Sequence, residues 1–456
     1  MRDWTLGEVA VVGLGKSGAA ASLLLARHGA KVYASDAADA PSTRERAAQV
    51  RAAGAEADTG RHDLDRIAGA RVVVASPGVP PDAPPLVRAR DAGVEVVSEV
   101  EVGLSALPNT RIIAVTGTNG KTTVTALIAH LLRAIGEDAE AAGNIGLALC
   151  DVAIREVQPA WIALEMSSFQ LHDTPALAPV VGVLTNLAPD HLDRYASLEA
   201  YYADKALLFR NGGRGSRWVI NADDPASLAM IDGVPGTVLR FSAAGRLGDA
   251  FLDRRHDELI VADEPLLARR DLHLLGVHNV ANALAAALAV IAASDTHGSI
   301  GARAKLAAGL SSFQPMPHRL APVGEFDGVQ WINDSKATNV ASALVALESM
   351  TRPTVLLLGG RHKGEPYTAL LAGIARHCRH VIAYGEAAPL ILRDLQGNAP
   401  VEQVTGDFHA VTRRAHQLAH RGDAILLSPA CSSYDMFNNY EERGRAFAQA
   451  AELGRP

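Results

Sequence analysis

The chain has little cysteine: Cys150, Cys378 and Cys431 are the three in 456 residues, and they fall in no CxxC or zinc-type spacing. So sparse and odd a set excludes a disulfide framework and suits a reducing compartment. Long apolar runs are also missing. The longest, alanine-rich Val280 to Ala293, is interrupted by Asn282 and is too short to span a bilayer. The N-terminus, Met1-Arg2-Asp3-Trp4, lacks the apolar core of a signal peptide. These absences predict a cytoplasmic protein without membrane insertion. Basic charge is not in excess, since 43 Lys and Arg stand against 50 Asp and Glu for a net −7. A general nucleic-acid coat is thereby excluded, whereas a local basic site for a phosphorylated small molecule is not.

What is present describes a globular enzyme. Hydrophobic residues make up 48% of the chain, too many for wholesale disorder. At roughly 150 residues per domain, the length suggests about three domains. The first hundred residues alternate strand-like runs (Val9 to Val12, Lys31 to Ser35, Arg71 to Ala75, Val94 to Val97) with helical stretches from Ser17 to His28 and from Ser42. Ser42 and Glu45 have capping-box spacing. Further strands are predicted at Ile112 to Val115, Trp161 to Glu165, Val180 to Thr185 and Trp218 to Asn221. Beyond the proline-punctuated Gln314 to Pro317 they recur at Val329 to Ile332, Val355 to Leu358, His380 to Ala383 and Ala424 to Leu427. Alternation of this kind specifies parallel sheets covered by helices. The expected fold is therefore α/β in three domains, 1–100, 101–315 and 316–456, with N- and C-terminal Rossmann-like parallel sheets flanking a central α/β domain.

Two glycine-rich turns carry chemistry. Gly13-Leu14-Gly15-Lys16-Ser17-Gly18 matches GxGxxG between a strand and a helix, where glycines permit a tight turn and helix N–H groups face a pyrophosphate. Asp36 ends the next strand, about where an acidic ribose partner falls. Taken alone, this segment is compatible with an NAD-dependent oxidoreductase, another nucleotide diphosphate site, or a bare βα turn. The second turn, Thr116-Gly117-Thr118-Asn119-Gly120-Lys121-Thr122-Thr123, has GxxGKT spacing after an apolar strand and before a helix. Its N–H groups can surround a phosphate, Lys121 supplies a cation and a threonine hydroxyl can hold Mg²⁺. That predicts ATP or GTP binding and makes the central domain a P-loop ATPase domain, one reading of which is an ATPase acting as a switch. Glu165, at the end of an apolar strand, is an expensive unpaired carboxylate whose natural partner is a metal. Read on its own, His191 is a structural or solvated loop histidine, and Lys205 is a surface helix lysine.

The second turn resembles the ATP-binding loop of the Mur ligases and folylpolyglutamate synthetases. In order along the chain follow Gly143-Asn144-Ile145-Gly146, Glu165-Met166-Ser167-Ser168-Phe169-Gln170, Asn186 to Asp193 and His278-Asn279-Val280-Ala281-Asn282-Ala283. Pro317-His318-Arg319, Asn333 to Asn339 and Ser428-Pro429-Ala430-Cys431-Ser432-Ser433 complete the set. Within the Mur ligases they point to members that join D-glutamate to UDP-N-acetylmuramoyl-L-alanine with ATP, through an acyl phosphate; L-glutamate or another acidic amino acid is the alternative. The resemblance implies that Lys121 clamps the phosphates, and that Thr122 with Glu165 holds one Mg²⁺. His191 and, if modified by CO₂, Lys205 would serve a second Mg²⁺. Asn144 is implied both at the catalytic centre and on the sugar nucleotide.

For ATP it implies the loop Gly117 to Thr123 with Asn279, Asn282, Arg319 and Asp334, the last two arriving when the third domain closes. The first domain would hold UDP through Gly13, Leu14, Gly15, Lys16, Ser17, Gly18, Asp36, Ser76, Pro77 and Gly78. Glutamate would meet Lys336, Thr338, Lys363, Ser432, Ser433 and Tyr440, in a chain expected to act as a monomer. Two departures stand out: Lys16 replaces an apolar residue, and Ala37-Ala38 stand where the family often carries an arginine on uracil. Tyr440 likewise stands where phenylalanine is common.

Overall fold

The computed structural model describes residues 2–190, 194–245 and 248–453. His191 lies outside the described residues. Among the described residues, three sheets carry the chain. The first holds β1 (Glu8–Val12), β2 (Lys31–Asp36), β3 (Glu56–Thr59), β4 (Val72–Ala75) and β5 (Val96–Ser98), all parallel in the order β3-β2-β1-β4-β5. In the second are β6 (Arg111–Thr116), β7 (Ala139–Gly143), β8 (Trp161–Glu165), β9 (Val181–Leu184), β10 (Arg217–Asn221), β11 (Thr237–Ser242), β12 (Ala250–Asp253), β13 (Glu258–Val261) and β14 (Glu264–Ala268). Their order is β14-β13-β12-β11-β10-β9-β6-β8-β7. The third consists of β15 (Ala321–Phe326), β16 (Val329–Asn333), β17 (Thr354–Gly359), β18 (Cys378–Tyr384), β19 (Val401–Gln403) and β20 (Ala424–Leu427), in the order β15-β16-β20-β17-β18-β19.

The apolar runs read from the sequence are these buried strands. Val72-Val73-Val74 and Leu356-Leu357-Leu358 are almost wholly buried, as strands covered on both faces must be. Fully burying each such side chain is worth about 1.5–3 kcal/mol. Some elements differ from expectation. The helix Pro41–Ala52 opens on Pro41 after Ala40, with no side-chain cap, so Ser42 and Glu45 form no capping box; proline's fixed φ begins the helix one residue earlier. Strands β12–β14 form an antiparallel extension of the central sheet, and β15 pairs antiparallel with β16. Their half-buried, short alternation is a weaker signal than a continuous apolar run.

The chain folds into two compact units, one of residues 1–272 and 281–312, the other of residues 273–280 and 313–456. The helix Val277–Ala293 runs from one into the other. No helix among the described residues is long and apolar enough to cross a membrane. The three cysteines are free.

Candidate functional site

The phosphate-loop candidate links β6 to the helix Lys121–Ile135. Gly117 and Gly120 both have positive φ, and a Cβ on Gly120 would collide with Oδ1 of Asn282. Glycine is therefore needed for the turn, and Asn282 is brought beside the loop. The loop is braced by the segment after β9. Thr118 N–H donates to the Asn186 carbonyl (2.8 Å), Asn119 N–H donates to Asn186 Oδ1 (2.9 Å), and Thr185 Oγ1 donates to the Asn119 carbonyl (2.6 Å). The Thr118 hydroxyl donates to the Ala188 carbonyl and accepts from Ala188 N–H. The sequence implies no role for Asn186, although it opens the phrase Asn186 to Asp193. It now holds the loop in shape.

Lys121 Nζ folds back to the carbonyls of Gly117 (2.9 Å) and Thr118 (2.8 Å). Lys205 Nζ donates to that same Gly117 carbonyl at 2.7 Å, and sits 4.6 Å from the centre of the Tyr201 ring. Lys205 is 1% exposed, which corrects its reading as a surface helix lysine. Helical periodicity in Leu198–Ala206 is too short to show which face is buried. Burial, and then the charge of Lys121, push the Lys205 ammonium well below the usual lysine range.

Glu165 ends β8, in register with Val115 of β6, and is 2% exposed. Asn144 Nδ2 donates to its Oε1 (2.8 Å), while Asn144 N–H donates to the Glu165 carbonyl (3.0 Å). Oε2 is buried with no hydrogen-bond partner. Leaving such an atom unsatisfied costs about 1–3 kcal/mol, so it calls for a cationic ligand.

The first sheet builds a second site. Gly13 has φ +93, and a Cβ there would strike Ser76 and Val79; one on Gly18 would strike the Gly13 carbonyl. The turn closes through Ser76 Oγ, which donates to that carbonyl at 3.1 Å. Beside it lies a cavity of about 690 Å³, lined by Gly13, Gly15, Lys16, Ser17, Asp36, Ser76, Pro77 and Gly78 together with Ala37 and His62. Leu14 and Gly18 are buried in the turn itself rather than lining the cavity. Asp36 accepts from the N–H groups of Leu14 (2.6 Å) and Ala38 (2.8 Å), so both its oxygens already hold the turn.

In the second unit, Lys336 Nζ lies 3.8 Å above the Tyr440 ring, and Lys363 Nζ donates to Thr338 Oγ1 at 3.3 Å. Ser432 bridges in both directions to Arg361, and Ser433 is buried. Asp334 is buried and accepts from Ser428 Oγ (2.8 Å) and Leu320 N–H (3.2 Å); burial raises its pKa to about 7. Arg319 lies between His318 and Leu320, both left-handed (φ 64 and 45), a strained turn of the sort found at functional sites. Asn279 donates its side chain to the Leu275 carbonyl. Asn279, Arg319 and Asp334 thus belong to the second unit, and Asn282 and the loop to the first.

Sequence reasoning missed Arg443. Fully buried in the first turn of the helix Tyr440–Leu453, it donates to Ser335 Oγ (2.9 Å), the Ser335 carbonyl (2.8 Å) and the Cys431 carbonyl (3.1 and 3.2 Å). Ser335 precedes Lys336, and Cys431 precedes Ser432. An arginine in a charged-looking helix start gives no sign of this burial.

Comparison with known proteins fits this layout. Residues 7–98 match the Mur ligase MurD-like N-terminal domain, 115–290 the Mur ligase middle domain, and 318–431 the Mur ligase glutamate ligase domain. The UDP-N-acetylmuramoylalanine--D-glutamate ligase of Salinibacter ruber is 39% identical over 459 residues, 97% of each chain. The chain belongs to the Mur ligase family. The protein of the same name from Thermobifida fusca is 40% identical, again over 97% of each chain. Among solved structures, a UDP-N-acetylmuramate-alanine ligase from Thermotoga maritima (20% identity, 98% of this chain, 100% of that one) gives a TM-score of 0.62. MurF from Acinetobacter baumannii (15%, 97% and 93%) gives 0.61, so the Mur ligase fold extends along the chain. Membership of this family replaces the nicotinamide oxidoreductase reading of the first glycine turn.

Proposed function

We propose that this Mur ligase joins D-glutamate to UDP-N-acetylmuramoyl-L-alanine in peptidoglycan precursor synthesis, cleaving ATP to ADP and phosphate. The observation that carries this is the full-length match to relatives bearing that name. The same reading places it in the cytoplasm as a monomer, working as three domains that meet near residues 100 and 315.

A carboxylate acylates poorly because its leaving group would be oxide. Transfer of the γ-phosphoryl of ATP to the substrate carboxylate gives an acyl phosphate, which the amine of glutamate attacks with loss of phosphate. Anionic oxygens crowd together in the first step, so positioning and charge neutralisation carry most of the catalysis. Lys121 and the N–H groups of the loop are proposed to grip the phosphates, with Asn279, Asn282, Arg319 and Asp334 completing the ATP group.

Glu165 and Thr122 are proposed to hold a Mg²⁺ ion. The orphaned Oε2 of Glu165, on a residue in register with Val115 of the strand that leads into the phosphate loop, is a buried hard oxygen donor. When bound, the ion supplies charge neutralisation on the phosphate oxygens. For a second ion, His191 is proposed with Lys205, whose depressed pKa favours the neutral amine that CO₂ requires. The cavity of the first sheet is proposed for UDP, with Asn144 toward the sugar, and Lys336, Thr338, Lys363, Ser432, Ser433 and Tyr440 for glutamate.

The test is to supply ATP, Mg²⁺ and UDP-N-acetylmuramoyl-L-alanine with D- or L-glutamate separately, and to weigh the products. Ligation with D-glutamate and release of ADP are expected. Release of AMP would exclude an acyl phosphate, product with L-glutamate alone would reverse the stereochemistry, and ATP hydrolysis without the other two substrates would favour an ATPase switch.

A further inference from the structure

Lys363 stands on an exposed loop that glycine borders on both sides. Gly360 and Gly364 have positive φ, and a Cβ on Gly360 would strike the Ser432 carbonyl. The ammonium of Lys363 reaches Thr338 Oγ1 at 3.3 Å, a long bond from a flexible stem. Two side chains further along the loop hold it in place. Glu365 Oε2 accepts from the N–H of Val340 at 2.7 Å. Val340 is the first residue of the helix Val340–Glu348, so that N–H has no partner within the helix, and Thr338 lies two residues before it. The carboxylate thus docks the loop on the entry of this helix. Tyr367 is fully buried, and its N–H donates to Asp394 Oδ2 at 3.0 Å. Its phenol oxygen lies 2.9 Å from Cys431 Sγ and 3.1 Å from His362 Nδ1. A phenol gives one hydrogen and accepts others, so it serves both neighbours whichever way the two bonds run. His362 adjoins Lys363 in sequence and Cys431 adjoins Ser432, and the backbones of Arg361 and Ser432 bond in both directions (2.8 and 3.1 Å).

We infer that Glu365 and Tyr367 are positioning residues for the amino-acid substrate, Glu365 setting Lys363 against Thr338 and Tyr367 setting it against Ser432. The assignment rests on the ligase reading above, which gives those three residues to glutamate. Two carboxylates on one small ligand need a cation and hydroxyl donors at fixed separations, and a glycine-bordered loop keeps such separations only when it is anchored. Neither anchor touches the substrate in this scheme. Glu365 works through its acceptor oxygen on a helix N–H, and Tyr367 through a hydroxyl that phenylalanine lacks while filling the same space.

The experiment compares the full chain with Tyr367→Phe, Glu365→Ala and Glu365→Gln by two measurements. Amide hydrogen exchange of the peptide covering residues 360–366 reports on the anchoring without any substrate, and steady-state KM values for D-glutamate, ATP and the sugar nucleotide report on its consequence. Tyr367→Phe and Glu365→Ala should exchange the loop about fivefold faster, the scale of one lost hydrogen bond. Both should raise the KM for D-glutamate about fivefold or more, with the other two KM values little changed. Glu365→Gln keeps an acceptor oxygen and should stay within about twofold of the wild type in both measurements. Unaltered exchange in Tyr367→Phe and Glu365→Ala would overturn the anchors. Faster exchange with an unchanged KM for D-glutamate, or an equal rise in all three KM values, would overturn their role in positioning. If Tyr367→Phe does not fold, the Glu365 pair decides. A wild type that ligates no glutamate at all would instead sink the ligase reading, and the exchange data would still report on the anchors.

Discussion

Lys121 and Lys205 donate to the same acceptor, the carbonyl oxygen of Gly117, at 2.9 and 2.7 Å. Two amines converge on one carbonyl although 84 residues separate them in the chain, and the buried one is held well below its ordinary pKa by desolvation and by the other. They form one unit around the phosphate loop, so their replacements should not be additive. Lys121→Ala is predicted to lower turnover by at least 10²–10³-fold, the scale of losing one preorganised donor to transition-state charge. Lys205→Met should be similarly inactive while remaining folded, because methionine fills the site without a buried amine. The check is steady-state turnover alongside thermal melting of each variant and of the pair. Wild-type turnover in Lys121→Ala would refute the phosphate-loop assignment.

Glu165 and Asn144 give a graded pair. Glu165→Gln removes the charge while keeping the volume, and should cost about 10²–10³-fold in turnover. Asn144→Ala leaves the carboxylate but frees it to rotate, since the 2.8 Å bond to Oε1 is lost. Loss of such an orienting partner typically costs about 10–100-fold. Turnover measured across a Mg²⁺ titration separates them: Asn144→Ala should recover partly at high Mg²⁺, and Glu165→Gln should not.

Glu99 makes stability depend on pH. It begins the helix Glu99–Ser105, accepts from Cys150 N–H at 2.6 Å through Oε1, and buries an unpartnered Oε2. Burial raises its pKa to about 7 from an ordinary 4.5. Between these values the folded chain holds a proton that the unfolded chain releases. The contribution to stability is therefore complete below about pH 4.5, and is lost as pH rises through 7. At 1.36 kcal/mol per unit, about 3 kcal/mol is at stake. Glu99→Gln should be more stable than the wild type at pH 8 and should lose this part of the slope. Denaturant unfolding at pH 5.5 and pH 8 measures it, and parallel slopes in the two proteins would exclude Glu99 as the source.

How much of this could be read from the chain depends on the range of the signal. Runs such as Val72 to Val74 and Leu356 to Leu358 announce buried parallel strands, because a strand covered on both faces must be apolar throughout. Glycine turns such as Gly117 to Gly120 announce themselves because few other residues fit their φ values. The roles of Lys205, Asn186 and Arg443 depend on contacts between segments far apart in sequence, and no local pattern encodes them. Asp36 shows the limit from the other side. Its place at the end of β2 was legible, but its commitment to Leu14 and Ala38 was not, since a carboxylate beside a ligand and one capping a turn have the same sequence. The short meander β12–β14 escaped for lack of a strong apolar period.

Arg443 supplies the last prediction. Its guanidinium ties the Ser335 and Cys431 backbone together, and each is followed directly by a residue proposed for glutamate, Lys336 and Ser432. The planar fork meets three acceptors at once, which a lysine ammonium on a flexible stem cannot reproduce. Arg443→Lys should therefore fold, keep its positive charge and still misplace the two loops. A misplacement of about 1 Å can cost on the order of 10²-fold. The expected signature is a KM for glutamate raised at least tenfold, with the KM for the sugar nucleotide little changed because its cavity lies in the other compact unit. Arg443→Met should add a loss of stability, since the carbonyls of Ser335 and Cys431 are left without donors at about 1–3 kcal/mol each. Equal rises in the KM of all three substrates would mean that Arg443 supports the fold as a whole and does not position the glutamate loops.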